Sequence, residues 1–210
     1  MSIDEQFKKA YALQMQDKQN AIAAAMARAT ESRGSVVIFT GPGKGKSTAA
    51  FGMLYRSLGH GMRCGLVQFI KGNHITGEVT FLQHLGLLGT GVTAQVDYCA
   101  MSTGVIWENH DWNSHKPAAD AAWQQALRML SDSGLHTVVL DELMPMLTYG
   151  YLSTTQVLEA LAQRLPQQTV VMTGRHAPQV LLDVADTVSD IAEVKHVFKA
   201  GVKARAGVDF

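Results

Sequence analysis

The chain is 210 residues long and 47% hydrophobic, enough to bury the core of one domain. Lys plus Arg and Asp plus Glu number 18 each, so no global basic footprint marks it for nucleic acid. No apolar run reaches the roughly 18 residues a bilayer demands, and Asp4 and Glu5 precede any hydrophobic stretch, so neither a membrane anchor nor a secretion signal is expected.

Residues 4 to about 32 hold no Gly or Pro and are rich in Ala, Gln, Met and Lys, which predicts a long leading helix. Residues 1–33 stand outside the first strand, so this segment either packs on the surface of the domain at 34–210 or acts as a lid over a site. Val36 to Phe39 reads as a strand, Ser47 to Leu58 as a helix closing near Gly59 and Gly61, and Cys64 to Ile70 as a second strand. Residues 72 to 115 mix Gly, Thr and His and predict nothing definite. A helix is expected from about Lys116 to Leu130, a strand over Thr137 to Leu140, and a helix over Thr154 to Arg164 opened by a capping box of Ser153 and Gln156. Thr169 to Thr173 reads as a buried strand, Pro178 to Ala185 as a short helix and Thr187 to Val194 as a further strand. Strands alternating with helices predict an α/β fold of the P-loop NTPase kind, a mostly parallel sheet with helices on both faces.

The chemistry begins at Thr40-Gly41-Pro42-Gly43-Lys44-Gly45-Lys46-Ser47-Thr48, a glycine-rich turn between an apolar strand and a helix. Its glycines allow tight bending and bring backbone N–H groups towards phosphate oxygens, which the following helix N-terminus also attracts. Lys46 is placed to neutralise phosphate charge and the Ser47 hydroxyl to hold Mg²⁺. From Gly41 to Gly45 the loop is one residue short of the standard spacing, so the first consensus position falls on Thr40.

A second element lies at Val138-Val-Leu-Asp141-Glu142, where a buried strand delivers two carboxylates at the edge where open α/β sheets bind ligands. Asp141 or Glu142 is positioned to hold Mg²⁺ directly or through water. Arg175, just beyond a third strand, reads as a phosphate contact, as a brace for Asp141 or as a surface arginine in a loop. His110 and His115 are five apart in a loop-like stretch and read as solvated or locally hydrogen-bonded, and Lys195, Lys199, Lys203 and Arg205 as a solvated basic edge. Cys64 and Cys99 belong to no C-x-x-C pattern, which argues against a disulfide framework and a zinc site and suits a reducing compartment.

Taken in order, the short loop, Val67-Gln-Phe-Ile-Lys-Gly72, Gly104 with Trp107-Glu108, Val138 to Glu142, Thr173-Gly-Arg175, Ala185 to Ser189, Lys195-His196 and Ala200 to Lys203 resemble the P-loop ATP:corrinoid adenosyltransferases. The resemblance implies transfer of the 5′-deoxyadenosyl group of ATP to the Co(I) of a corrinoid, with triphosphate leaving. It also implies a cytoplasmic homodimer, a flavoprotein reductant, and an N-terminal helix able to close over the corrinoid. ATP then lies across the P-loop in the direction opposite to that in ordinary P-loop NTPases. Co(I) is itself a strong nucleophile, so the absence of a serine, cysteine or dyad nucleophile from this reading is no obstacle.

Two positions depart from the family pattern. Val105 stands in Gly104-Val-Ile-Trp107 where an aromatic is usual, and Val79 follows Gly77-Glu78 where an arginine is common. The resemblance places Val105 and Trp107 near the corrinoid, where the aromatics help remove the lower axial ligand from Co(II). An ordinary P-loop ATPase or kinase, and a non-catalytic ATP-dependent corrinoid-binding module, remain as alternatives that product analysis separates.

Overall fold

The computed structural model describes residues 3–70, 75–89, 94–101 and 112–209. The chain forms two compact units, Met1–Arg33 and Gly34–Phe210. The first is a single helix, α1 (Ile3–Arg28), with Asp4 and Glu5 in its first turn and Arg28 in its last, the polarity a helix dipole favours. Lys8 Nζ meets Asp4 at 2.7 Å one turn away, a pair worth only tenths of a kcal/mol, about 0.3–0.5, on an exposed helix.

The second unit alternates strands and helices: β1 (Val36–Thr40), α2 (Lys46–Gly59), β2 (Cys64–Gln68), α3 (Gly77–His84), β3 (Val96–Ala100), α4 (Trp112–Ser131) and β4 (Thr137–Asp141). It continues with α5 (Leu143–Thr148), α6 (Thr154–Gln163), β5 (Thr169–Thr173), α7 (Gln179–Val184) and β6 (Thr187–Asp190), then a 3-10 turn at Val197–Ala200. The six strands form one sheet in the order β3-β2-β4-β5-β1-β6, and every pairing is parallel, as the alternation predicts.

Both faces of that sheet are covered, which is why its central strands are apolar throughout rather than alternating. Val36 and Ile38 of β1, Val138 and Leu140 of β4 and Val170 and Met172 of β5 pack with α4 to α7. Val37, Val139 and Val171, one residue out of step, pack with Ala50, Phe51 and Leu54 of α2 and Val79 and Leu82 of α3. Right-handed crossovers account for the division. From β1 the chain steps towards the β3 edge on one face, and from β3 it steps back towards the β6 edge on the other. The connections after β1 and β5 therefore leave neighbouring strands towards opposite faces, opening a crevice at their carboxyl ends.

Several expectations are refined. The unread stretch holds α3 and β3, both short. The capping box forms as its spacing predicts: Gln156 N donates to Ser153 Oγ, and the Gln156 side chain accepts from Ser153 N. β6 ends at Asp190 instead of reaching Val194, because the chain there turns across the P-loop. α4 starts at Trp112, not near Lys116, with Pro117 inside it. His115 thereby becomes a helix residue, fully buried, its ring centroid 6.0 Å from that of Tyr151, which corrects the loop placement and the solvated alternative of its reading and leaves the locally hydrogen-bonded one. His110 lies outside the described residues.

Candidate active site

The phosphate loop is shaped by what it must pass. Gly41 has φ 94°, and a Cβ there would lie 2.1 Å from Asp190 Oδ1; at Gly43 a Cβ would lie 2.5 Å from the Ala192 carbonyl oxygen. Any larger residue at either position would collide with the segment after β6. Ile191 stitches the two together, its N–H donating to the Thr40 carbonyl at 2.9 Å and its carbonyl accepting from Gly43 N–H at 2.7 Å. That Gly43 amide is thus committed to the chain rather than turned to the cavity. Gly45, at φ 114°, begins α2 with no side-chain cap, so the first-turn amides of the helix are offered to an anion.

Lys46 opens α2 and curls back over the loop, donating to the carbonyls of Gly41 at 2.9 Å and Gly43 at 2.6 Å. Burial holds its ammonium below the usual lysine value, Arg175 pushes in the same direction, and Glu142 and Asp190 oppose them. A partly desolvated cation beside a second cation is a strong site for a polyanion.

The acidic pair divides its labour. Asp141 is fully buried: its Oδ1 accepts from Thr173 Oγ1 at 2.8 Å and its Oδ2 from Gln68 Nε2 at 3.2 Å, while Tyr98 donates to Gln68 Oε1 at 3.2 Å. Glu142 follows at φ 58°, ψ 35°, a left-handed conformation that costs a non-glycine residue about 1–2 kcal/mol, and its N–H donates to Thr173 Oγ1 at 2.8 Å. The turn sends Asp141 into the core and Glu142 to the cavity.

That cavity measures about 830 Å³ and is lined by Gly43, Lys44, Gly45, Lys46, Ser47, Thr48, Glu142 and Arg175 from the sequence-predicted set. Thr40, Gly41, Pro42 and Asp141 do not line it. Thr40 instead ties the loops together, its Oγ1 accepting from Ala177 N–H at 3.3 Å. Arg175 is exposed at the rim, and Asp141 is braced by Thr173 and Gln68. Val105 and Trp107 lie outside the described residues; the segment that contains them leads into Trp112, which stacks on Tyr151 at 4.7 Å between ring centroids.

Sequence reasoning missed other lining residues, among them Tyr149, His176, His196 and Asp209. Asp209 pairs with Lys44 at 2.9 Å and its carboxyl is held below the usual carboxylate value, first by that bond and then by the Arg205 N–H at 3.1 Å. The tail read as a basic edge thus brings a carboxylate to the P-loop, a contact between residues 165 apart that no local pattern announces. Lys199 pairs with Glu193. Burial pushes the Cys64 thiol up to about 12 and raises Cys99 as well, leaving both poor nucleophiles at neutral pH.

By its sheet, and by the way β1 hands over through a glycine loop to α2, the molecule is an α/β protein of the P-loop class. The family model for ATP:corrinoid adenosyltransferase BtuR/CobO/CobP matches residues 32–210. The chain is 44% identical over 200 residues to the corrinoid adenosyltransferase of Escherichia coli (strain K12), an alignment spanning 95% of this chain and 97% of that one. It is similarly 44% identical to corrinoid adenosyltransferase CobA of Salmonella typhimurium, again over 95% and 97%, and 42% identical to the corrinoid adenosyltransferase of Pseudomonas aeruginosa over 93% of each. The chain belongs to the ATP:corrinoid adenosyltransferase family. It is an enzyme of cobalamin biosynthesis whose substrates are ATP and a corrinoid.

Proposed function

We propose that the chain joins the 5′-deoxyadenosyl group of ATP to the Co(I) centre of cobalamin or a precursor, releasing intact triphosphate, in adenosylcobalamin biosynthesis or salvage. The observation that carries this reading is the shortened loop Thr40 to Thr48, whose residues Gly43 to Thr48 line the cavity in a chain of this family. The electron pair on cobalt attacks C5′, the C5′–O5′ bond breaks, and its electrons leave on the triphosphate. The nucleophile arrives with the substrate, so the protein supplies alignment and charge.

Lys46, the first amides of α2 and Arg175 hold the triphosphate. The residues present suit Mg²⁺: Ser47 and Glu142 bring hard oxygen donors to the cavity, and among the described residues no group of three or more His, Cys, Asp or Glu is arranged to hold a metal. A site with one or two protein oxygens, completed by substrate phosphates, is the usual Mg²⁺ arrangement. Bound there, the ion would neutralise charge on the leaving group. Glu142 takes the direct role and the buried Asp141 supports it through the hydrogen bonds around it.

We assign Val105 and Trp107 to the corrinoid side and residues 1–33 to a cover over the corrinoid, with the domain proper at 34–210. A cytoplasmic homodimer served by a flavoprotein reductant completes the proposal. Among the described residues no helix is long and apolar enough to cross a membrane. Phosphorus NMR of a reaction with ATP tests the bond that breaks. Tripolyphosphate is expected; ADP with orthophosphate, and no triphosphate even transiently, would move the chain to the ATPases.

A further inference from the structure

We infer that Thr173 is a positioning residue for the reaction, acting through Glu142; the inference rests on the metal-facing role proposed above for that carboxylate. Thr173 ends β5 and is fully buried. Its hydroxyl spends its proton on Asp141 Oδ1 at 2.8 Å and turns a lone pair to the Glu142 N–H, also at 2.8 Å. One group thereby grips two consecutive residues of another strand end, at the point where the backbone leaves β4 for a left-handed turn.

Among the described residues only Glu142 and His176 have positive φ without being glycine, and both line the cavity. A left-handed glutamate persists where its surroundings over-determine it. Thr173 does this from one side and the next residue from the other: Gly174, at φ 140°, lies so close to α5 that a Cβ would come 2.6 Å from Met144 Cβ. Loosening the hydroxyl clamp frees Glu142 to relax towards ordinary backbone angles and swing its carboxylate away from Ser47. A hydroxyl suits the place because its single oxygen both gives one hydrogen bond and takes another.

Thr173→Val keeps the volume and removes the hydroxyl; Thr173→Ser keeps the hydroxyl. Two readouts apply: the Mg²⁺ concentration giving half-maximal adenosyl transfer, and binding of Mn²⁺ with ATP measured by electron paramagnetic resonance. Both should weaken roughly tenfold or more in the valine protein, as losses behind a metal ligand do, and return towards wild type with serine. In a Glu142→Gln background, adding Thr173→Val should change metal dependence little further. Metal dependence unchanged in the valine protein, or a serine protein as weak as valine at equal folded fraction, would overturn the inference. So would a full additional loss in the double variant, which would show that Thr173 does not act through Glu142. Wild-type protein that binds ATP equally with and without divalent cation would instead overturn the metal reading itself.

Discussion

Lys46 has no salt-bridge partner that the loop itself provides: it rests on two loop carbonyls, with Arg175 raising the local positive potential. In the proposed reaction phosphate oxygens replace those neutral partners. Lys46→Ala should lower turnover by roughly 100- to 1,000-fold at saturating ATP, the cost of losing a positioned charge against a developing anion, with the thermal midpoint little changed. Near-normal turnover would show that this loop is not the phosphate site. The lowered affinity of Lys46 for its proton has a second consequence. Triphosphate favours the charged form, so the bound value lies above the free one, and between the two ATP binding takes up a proton. ATP affinity should fall as pH rises through the free-protein value, which lies below that of an ordinary lysine. Titration calorimetry in buffers of different ionisation enthalpy reads that uptake, and an affinity flat through the alkaline range in wild type would exclude it.

At the scale of elements, the crossing of the P-loop by the segment after β6 makes the two behave as one. Gly43→Ala sets a methyl against the Ile191 and Ala192 backbones and should cost about 1–3 kcal/mol while weakening ATP binding, since one segment or the other must move. Gly52→Ala is the control. It lies exposed within α2 with nothing near its missing Cβ, and there alanine should stabilise by about 0.5–1 kcal/mol with ATP binding intact. Urea unfolding and ATP titration of the two variants check both signs; equal and small effects would mean the contact between loop and tail is incidental.

The same elements mark where sequence was readable. Valine runs flanked by helix-period segments show a covered parallel sheet, because such strands bury both faces and their pattern is the fold. α3 and β3 were not legible, being short and set among Gly and Thr. α5 was hidden by Pro145 and by its start one residue beyond Glu142, whose left-handed turn no local signal encodes. The phosphate loop was legible because phosphate chemistry needs its glycines and lysine contiguous. Thr173 and Asp209 were not, since their partners come from other strand ends or from far along the chain.

For the whole molecule, the proposal sets the corrinoid against Val105 and Trp107. If Trp107 faces the corrinoid, Trp107→Ala should impair the reaction that starts from Co(II), where the lower ligand must first be removed by apolar packing. It should matter much less when Co(I) is supplied. Equal loss in both assays, tracking lost folded protein at a cost of roughly 3–5 kcal/mol, would make Trp107 a core residue instead. Val105→Phe should act in the opposite sense on the Co(II) reaction by restoring ring area.

This P-loop is proposed to serve transfer of an adenosyl group to cobalt, not of a phosphoryl group to an oxygen. Anaerobic incubation of the full chain with ATP, Mg²⁺ and chemically reduced cobalamin, followed by visible spectroscopy, addresses it most directly. The expected product has the spectrum of a cobalt–carbon-bonded corrinoid, which is lost on exposure to light, and it forms in step with ATP loss and is abolished by Lys46→Ala. ATP consumed while the Co(I) spectrum persists would contradict it.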